Sequence, residues 1–344
     1  MKSTPQKILD WTIEKINRDY PGQICLLIEN TNLRLPGFDQ GDGVDYFIPE
    51  DGFADTLSRT FIIDGVGYDL YPRSWQRIEE MSNLDDYNPT CLADAVIVWA
   101  RSPQDRERFE AYRERLRQNL ADPEFVYRKA LEKLDVAQGL YQKLLFEPNP
   151  GQARLAAGYA ADYLSNAIAF LNHTYFRYSQ VFQLEELEPL EKPEGFSKAY
   201  ETILFASSIE ELRELAGSMV QMTRKFVEER RPPRPKRERP NFKGLADWYQ
   251  ELSYTWLRIA YYTEKNDPRR AFAWGIMLQE ELSTVAEEFQ LPAMDLLSCY
   301  DAQNLAPFAE KARELEQQIR GILADNGISL AEYRDFAEFA AHNP

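Results

Sequence analysis

Apolar positions in the first hundred residues change between helical and strand spacing. Residues 6–20 place apolar side chains on one helical face, and Pro21-Gly22 ends that pattern. Asp64-Gly65 is a turn dipeptide, which predicts a hairpin between the runs on either side of it. Short apolar or β-branched runs predict strands at 24–28, 44–48, 57–63, 66–71 and within 94–101.

From about Pro103 onward, helical spacing replaces the alternation that is typical of strands. Prolines separate several of the helical runs, as in Pro148-Asn149-Pro150. The predicted helices span 104–120, 123–146, 150–182, 196–206, 208–230, 242–264, 268–289 and 305–324. No fixed-period repeat accompanies them, so a helical solenoid is not supported.

This change of pattern predicts an α+β protein, in which a small mixed β-sheet head precedes a large all-α helical body. A length of 344 residues allows two or three domains. We place an α/β domain at 1–110, a helical bundle at 111–230 and an additional C-terminal helical region at 241–344. The sequence assigns no role to this last region.

The net charge of the chain and the lengths of its apolar runs argue against nucleic acids and membranes as partners. A net charge of −16 disfavours general nucleic-acid binding. The chain holds no run of 18 apolar residues, which argues against a membrane span. Its three cysteines are far apart and lack metal-ligand spacing, as expected of buried thiols in a reducing compartment. We therefore expect a cytoplasmic protein that does not bind membranes.

One segment runs against the overall acidity. Arg230–Arg239 reads RRPPRPKRER, with six basic residues and one acidic residue, and its prolines exclude a regular helix. Either it is a loop that contacts phosphate or nucleic acid, or it is a solvated linker between helices. The linker interpretation is favoured.

Two aspartates fall on neighbouring predicted strands of the head. Asp45 belongs to the strand at 44–48, and Asp69 to the second strand of the hairpin. Converging carboxylates are suited to Mg²⁺, which prefers oxygen ligands and retains several waters. Mg²⁺ held in this way can neutralise charge on a triphosphate during transfer. Taken singly, each aspartate could equally be an exposed strand residue.

The order of these elements resembles the head of nucleotidyltransferases of the aminoglycoside- and lincosamide-adenylyltransferase type. The stretches that carry the resemblance are LLIENTN (26–32), GDGVDYFIPEDGF (41–53) and GVGYDLYPRSWQRIEEM (65–81). In that family a Gly-Ser pair ends the first strand, paired aspartates lie on the second strand, and a third carboxylate lies on a later adjacent strand.

The resemblance implies site residues and cofactors. Asp45 matches the second aspartate of the pair and Asp69 the third carboxylate, which makes both candidate catalytic residues and Mg²⁺ ligands. Glu29-Asn30 stands where the family has Gly-Ser, and Gly43 stands at the first aspartate, with Asp42 beside it. Glu29, Asn30 and Asp42 are therefore the candidate cofactor-binding residues. An active protein would use Mg²⁺ and ATP.

The helical region continues the resemblance. Residues 160–180 and 192–204 are similar to the helical substrate-binding half of these enzymes, which is related to the HEPN bundle. Asp162, Asn166 and His173 share a face of one predicted helix. They form either a wall of a substrate site or a set of hydrogen-bonded polar residues between helices.

Three functions follow as hypotheses. The first is transfer of a nucleotidyl group from Mg·ATP to a hydroxyl of a small molecule. The second is a catalytically degenerate relative, without cofactor, that binds or regulates; the departures at Glu29-Asn30 and Gly43 favour it. The third is a toxin–antitoxin-like protein that acts on RNA or a protein partner, with only the basic segment in its favour. The resemblance also implies a homodimer.

Overall fold

The head of the protein is built on one mixed β-sheet. In the computed structural model, the described residues are 3–30, 44–50, 57–86, 88–178, 182–233 and 240–343. Among them, five strands form the sheet in the order β3-β4-β2-β1-β5. The strands are β1 (Ile24–Glu29), β2 (Tyr46–Pro49), β3 (Arg59–Ile63), β4 (Val66–Pro72) and β5 (Val96–Ala100).

Strand β1 lies inside the sheet, between β2 and β5, and runs antiparallel to both. All six of its residues are buried, as expected for a strand covered on both faces. Strand β2 pairs in parallel with β4, and β4 pairs with β3 as an antiparallel hairpin. The hairpin turn was predicted at Asp64-Gly65, and both residues have positive φ angles (50° and 79°), as a tight two-residue turn requires.

Helices make up most of the rest of the described chain. Ser74 caps the helix Trp75–Ser82 by accepting a hydrogen bond from the backbone N–H of Arg77. In the first part of the chain the helices are α1 (Thr4–Asp19), α2 (Trp75–Ser82), α3 (Thr90–Ala93), α4 (Pro103–Ala121), α5 (Pro123–Phe146), α6 (Pro150–Leu171), α7 (Gln183–Leu187), α8 (Phe196–Phe205) and α9 (Ile209–Glu229). The predicted α+β class, with its small mixed sheet and large helical body, is confirmed.

One helix ends earlier than predicted. Helix α6 stops at Leu171, whereas the sequence pattern extended it to residue 182. His173 has a φ of 56°, and its N–H donates to the carbonyl of Phe170, while the N–H of Thr174 donates to that of Ala169. This is the Schellman arrangement, in which a left-handed residue closes a helix. Glycine usually occupies that position, so a histidine there gave no signal in the sequence.

The sheet of the head is covered on both faces. On one face, Tyr46 and Ile48 pack against α2, α3 and α4. Phe109 of α4 and Phe170 of α6 belong to the same core. On the other face, Phe47 packs with Ile16 of α1. Helix α4 runs across residue 110, and the domain boundary proposed there stays a prediction.

The chain divides into two units, Met1–Pro233 and Arg234–Pro344. The second unit has its own core, to which the buried side chains of Trp256 and Ile259 contribute. A short 3₁₀ helix spans Leu297–Cys299. The α-helices of this unit are α10 (Phe242–Glu264), α11 (Pro268–Glu288), α12 (Ala306–Asp325) and α13 (Phe336–His342).

The sequence also led to expectations about the basic segment Arg230–Arg239 and about membrane spans. Most of the basic segment, residues 234–239, lies outside the described residues. In the part of the chain that is described, no helix combines the length and apolar character needed to cross a membrane.

Candidate functional site

The candidate site lies where β1 ends and β2 begins. Asp45 directly precedes β2, and its backbone N–H donates to the carbonyl of Ile28 at 2.8 Å. The parallel register pairs Tyr46 with Tyr71 on β4. Asp69 lies two residues before Tyr71 and therefore on the same face of β4. Asp45 therefore lies just before the start of β2, and Asp69 lies within β4, the strand that pairs with β2.

The two carboxylates are close enough to influence each other. Burial raises the pKa of Asp45, the Arg73 guanidinium lowers it, and the charge of Asp69 raises it further, so that the pKa lies above its ordinary value. The Oδ2 atom of Asp45 is buried and has no hydrogen-bond partner among the residues that the structure describes. Asp69 is exposed, and its Oδ1 accepts a hydrogen bond from the Thr60 hydroxyl at 3.0 Å.

A buried arginine supplies positive charge to the site. Arg73 is 3% exposed, and its guanidinium carbon lies 4.8 Å from the ring centroid of Tyr46 and 5.0 Å from that of Tyr71. Its Nε donates to the Tyr71 hydroxyl at 2.9 Å. Among the described residues, no carboxylate lies within ion-pair distance of Arg73, so its charge acts on Asp45 without direct contact.

The sequence did not identify Arg73 as part of the site. An arginine after a strand is ordinarily a surface residue, and its burial here depends on an aromatic ring from another strand. The same burial raises the pKa of Tyr71 to about 12, with a further contribution from Asp45, and raises that of Tyr46 well above its ordinary value. Both phenols are therefore neutral at physiological pH.

The end of β1 brings two predicted cofactor-binding residues to the same place. Glu29 and Asn30 are both buried, and the Asn30 side-chain amide donates to the thiol sulfur of Cys91 at 3.5 Å. The Tyr46 hydroxyl donates to the backbone carbonyl of Cys91. Asp42, the third predicted cofactor-binding residue, lies outside the described residues.

A magnesium ion fits this site only in part. No group of three His, Cys, Asp or Glu side chains with metal-binding geometry occurs among the described residues. Mg²⁺ in nucleotide sites is commonly held by one or two carboxylates, with phosphates and waters supplying the other ligands. Asp45 and Asp69 are the two carboxylates that could serve as such ligands, and the Oδ2 atom of Asp45 is an oxygen without a hydrogen-bond partner in the described part of the chain.

Of the three residues predicted to form a wall of a substrate site, Asp162 and Asn166 lie within α6 and His173 lies after it. Asp162 Oδ1 accepts from the Gln183 side chain at 2.7 Å, and the Asn166 side chain donates to the Asp162 carbonyl at 2.9 Å. His173 lies beyond the end of α6, so it does not share the helix face that carries Asp162 and Asn166. The proposed shared face is therefore wrong; a role for any of the three in binding stays a prediction.

Comparison with solved structures gives a distant similarity. The crystal structure of a nucleotidyltransferase-like protein from Exiguobacterium sibiricum 255-15 aligns over 70% of this chain and 78% of that protein, with 13% sequence identity and a TM-score of 0.36. No protein family and no curated protein matches the sequence.

Proposed function

We propose that the head binds a nucleoside triphosphate together with Mg²⁺ at Asp45 and Asp69, and transfers a nucleotidyl group to a hydroxyl of a small molecule. One observation carries the proposal. The Oδ2 atom of Asp45 is a buried carboxylate oxygen without a partner among the described residues, and the charge of Asp69 on β4 raises the pKa of Asp45. An unpaired buried acceptor of this kind costs stability, and such costs are typical of functional sites.

The residues of the chain have separate parts in this proposal. Asp45 and Asp69 would hold Mg²⁺, which neutralises negative charge on the triphosphate when it is bound. Arg73 is fixed by the two tyrosine rings and by its hydrogen bond to Tyr71, so its charge is already in position before a ligand arrives. A preorganised cation of this kind stabilises developing negative charge without reorganisation.

A second candidate function is a degenerate head that binds a ligand without catalysis. Two observations favour it. Glu29 stands buried where the resemblance expects a glycine next to the triphosphate, and its carboxylate would repel phosphate. Arg73 also supplies an internal cation near Asp45, which lessens the need for a metal. This candidate predicts ligand binding that does not depend on Mg²⁺.

Thermal unfolding with a non-hydrolysable ATP analogue separates the two. For the Mg²⁺-dependent site, the analogue at 100 times its dissociation constant should stabilise the protein by about 2.7 kcal/mol with Mg²⁺. EDTA should remove that stabilisation. Asp45→Asn should abolish it, and Asp64→Asn, which changes an aspartate in the hairpin turn, should not. If the analogue stabilises the wild type in EDTA and the Asp45→Asn variant as much as it stabilises the wild type with Mg²⁺, the degenerate head is favoured. If the analogue stabilises the protein under none of these conditions, both candidate functions are contradicted.

A further inference from the structure

A second cleft of about 480 Å³ opens beside α3 in the N-terminal unit. The residue after α3, the C-terminal half of α4 and the segment after α6 form its walls. Three arginines and Asp94 line it. Arg113 and Arg117 form ion pairs with Glu110 and Glu114 of their own helix, which leaves Arg177 as the cation that no described carboxylate pairs with. Its charged and hydrogen-bonding side chains are Asp94, Arg113, Arg117, His173, Thr174, Tyr175 and Arg177.

Neutral groups hold Arg113 in this cleft. Its Nε donates to the carbonyl of Leu92 at 3.1 Å, and its Nη2 donates to the carbonyl of Ala95 at 2.6 Å. Carbonyl partners orient the guanidinium without cancelling its charge. Its ionic partner is Glu110, which faces solvent on the same helix, at 2.7 Å. Arg113 is thus a rigid cation in the cleft wall.

Asp94 lines the cleft together with Arg177, but a neutral group already engages its carboxylate. Its Oδ2 atom already accepts a hydrogen bond from the Tyr175 hydroxyl at 3.0 Å. Arg177 lies near the same hydroxyl and lowers its pKa, although burial raises that pKa more. In the described part of the chain, no carboxylate forms an ion pair with the Arg177 side chain. Its guanidinium can therefore pair with an incoming anion.

His173 adds a further polar atom. Its Nδ1 lies 2.7 Å from the carbonyl oxygen of Leu120. Because a carbonyl only accepts hydrogen bonds, Nδ1 carries the proton. Nε2 of the neutral ring can then accept a hydrogen bond from a hydroxyl of the ligand, but it cannot donate one to an anion. The Schellman closure of α6 places this ring outside the helix, where it reaches α4.

Helix α3 connects the cleft to the Asp45 site. Cys91, within α3, contacts Tyr46 and Asn30 of that site, and Asp94, which directly follows α3, lines the cleft. We propose that the cleft binds the anionic group, phosphate or carboxylate, of a small molecule that is the acceptor in the transfer. Naming the ligand as the acceptor rests on the proposed function, whereas anion binding does not.

Isothermal titration with citrate and with pyrophosphate, without Mg²⁺ and nucleotide, tests the inference. At least one of the two anions should bind, and uncharged glycerol should not. Arg177→Gln should weaken binding by roughly tenfold or more, the loss expected for one charge-assisted hydrogen bond. Arg224→Gln is the matched control, because Arg224 is an exposed arginine paired with Glu228 on α9. It should bind the anion like the wild type.

The result also identifies the chemistry of the ligand. Binding of citrate alone indicates a carboxylate ligand, and binding of pyrophosphate alone indicates a phosphate. The inference is overturned if neither anion binds the wild type, or if Arg177→Gln and Arg117→Gln both bind like the wild type. Asp45→Asn should leave anion binding intact. The anion titration therefore tests the cleft, and the Mg²⁺-dependent stabilisation by the nucleotide analogue tests the Asp45 site, so either proposal can fail without the other.

Discussion

The guanidinium carbon of Arg73 lies 4.8 Å from the centroid of the Tyr46 ring, and this stacking holds a buried cation near Asp45. The arginine comes from the end of β4 and the tyrosine from β2, which pair in parallel. The arrangement concentrates opposite charges at one end of the sheet but leaves one oxygen of Asp45 without a partner. Its energetic consequences can be measured directly.

Asp45→Asn should stabilise the protein at neutral pH. The pKa of Asp45 is raised in the folded protein, so the folded state binds this proton more tightly than the unfolded chain does. Stability is lost as the pH rises from the ordinary value of 3.8 through the raised folded pKa, above which the ionised carboxylate exerts its full cost. Removing that charge should therefore gain on the order of 1 kcal/mol.

The gain should fade as the pH approaches 3.8, where the wild-type carboxyl is protonated in the folded state. Urea denaturation followed by circular dichroism over this pH range measures it. A variant that is less stable than the wild type at neutral pH would show that the carboxylate is held by favourable interactions and not by functional demand.

Arg73→Met should destabilise the protein by about 3 kcal/mol. The change keeps an apolar side chain in the space but removes two ring contacts and the hydrogen bond to Tyr71, and it leaves Asp45 without its compensating charge. Arg115→Met is the control, since Arg115 forms an exposed pair with Glu79 and should change stability by less than about 1 kcal/mol. Equal effects of the two variants in urea denaturation would contradict the buried-cation account.

Gly275→Ala should destabilise the C-terminal unit although alanine favours helices. A Cβ atom at Gly275 would lie 2.7 Å from the ring of Phe308, a fully buried core residue. Overpacking of this kind costs about 1–3 kcal/mol, more than the roughly 1 kcal/mol gained from helix propensity.

The matched control for Gly275→Ala is Gly321→Ala. Gly321 also lies within a helix, but nothing stands within 4 Å of the added Cβ. That variant should be more stable than the wild type by up to about 1 kcal/mol. Thermal unfolding of the two variants should therefore shift in opposite directions, and a shift in the same direction would show that Phe308 moves away at little cost.

Local patterns predicted the head and most of the helices, because those elements depend on nearby residues. The hairpin followed from Asp64-Gly65. The burial of Arg73 was not predictable, since it depends on the pairing of β2 with β4. The end of α6 was missed because His173 adopts a left-handed conformation that ordinarily identifies a glycine.

The central claim is that Asp45 and Asp69 together hold a divalent cation with a nucleotide. Crystals soaked with Mn²⁺ in place of Mg²⁺ and a non-hydrolysable ATP analogue test it most directly, because Mn²⁺ gives an anomalous signal. The account predicts an anomalous peak within coordination distance of Asp45 Oδ2 and the Asp69 carboxylate, with triphosphate oxygens as further ligands. Bound nucleotide without such a peak, or a peak remote from both aspartates, would contradict it.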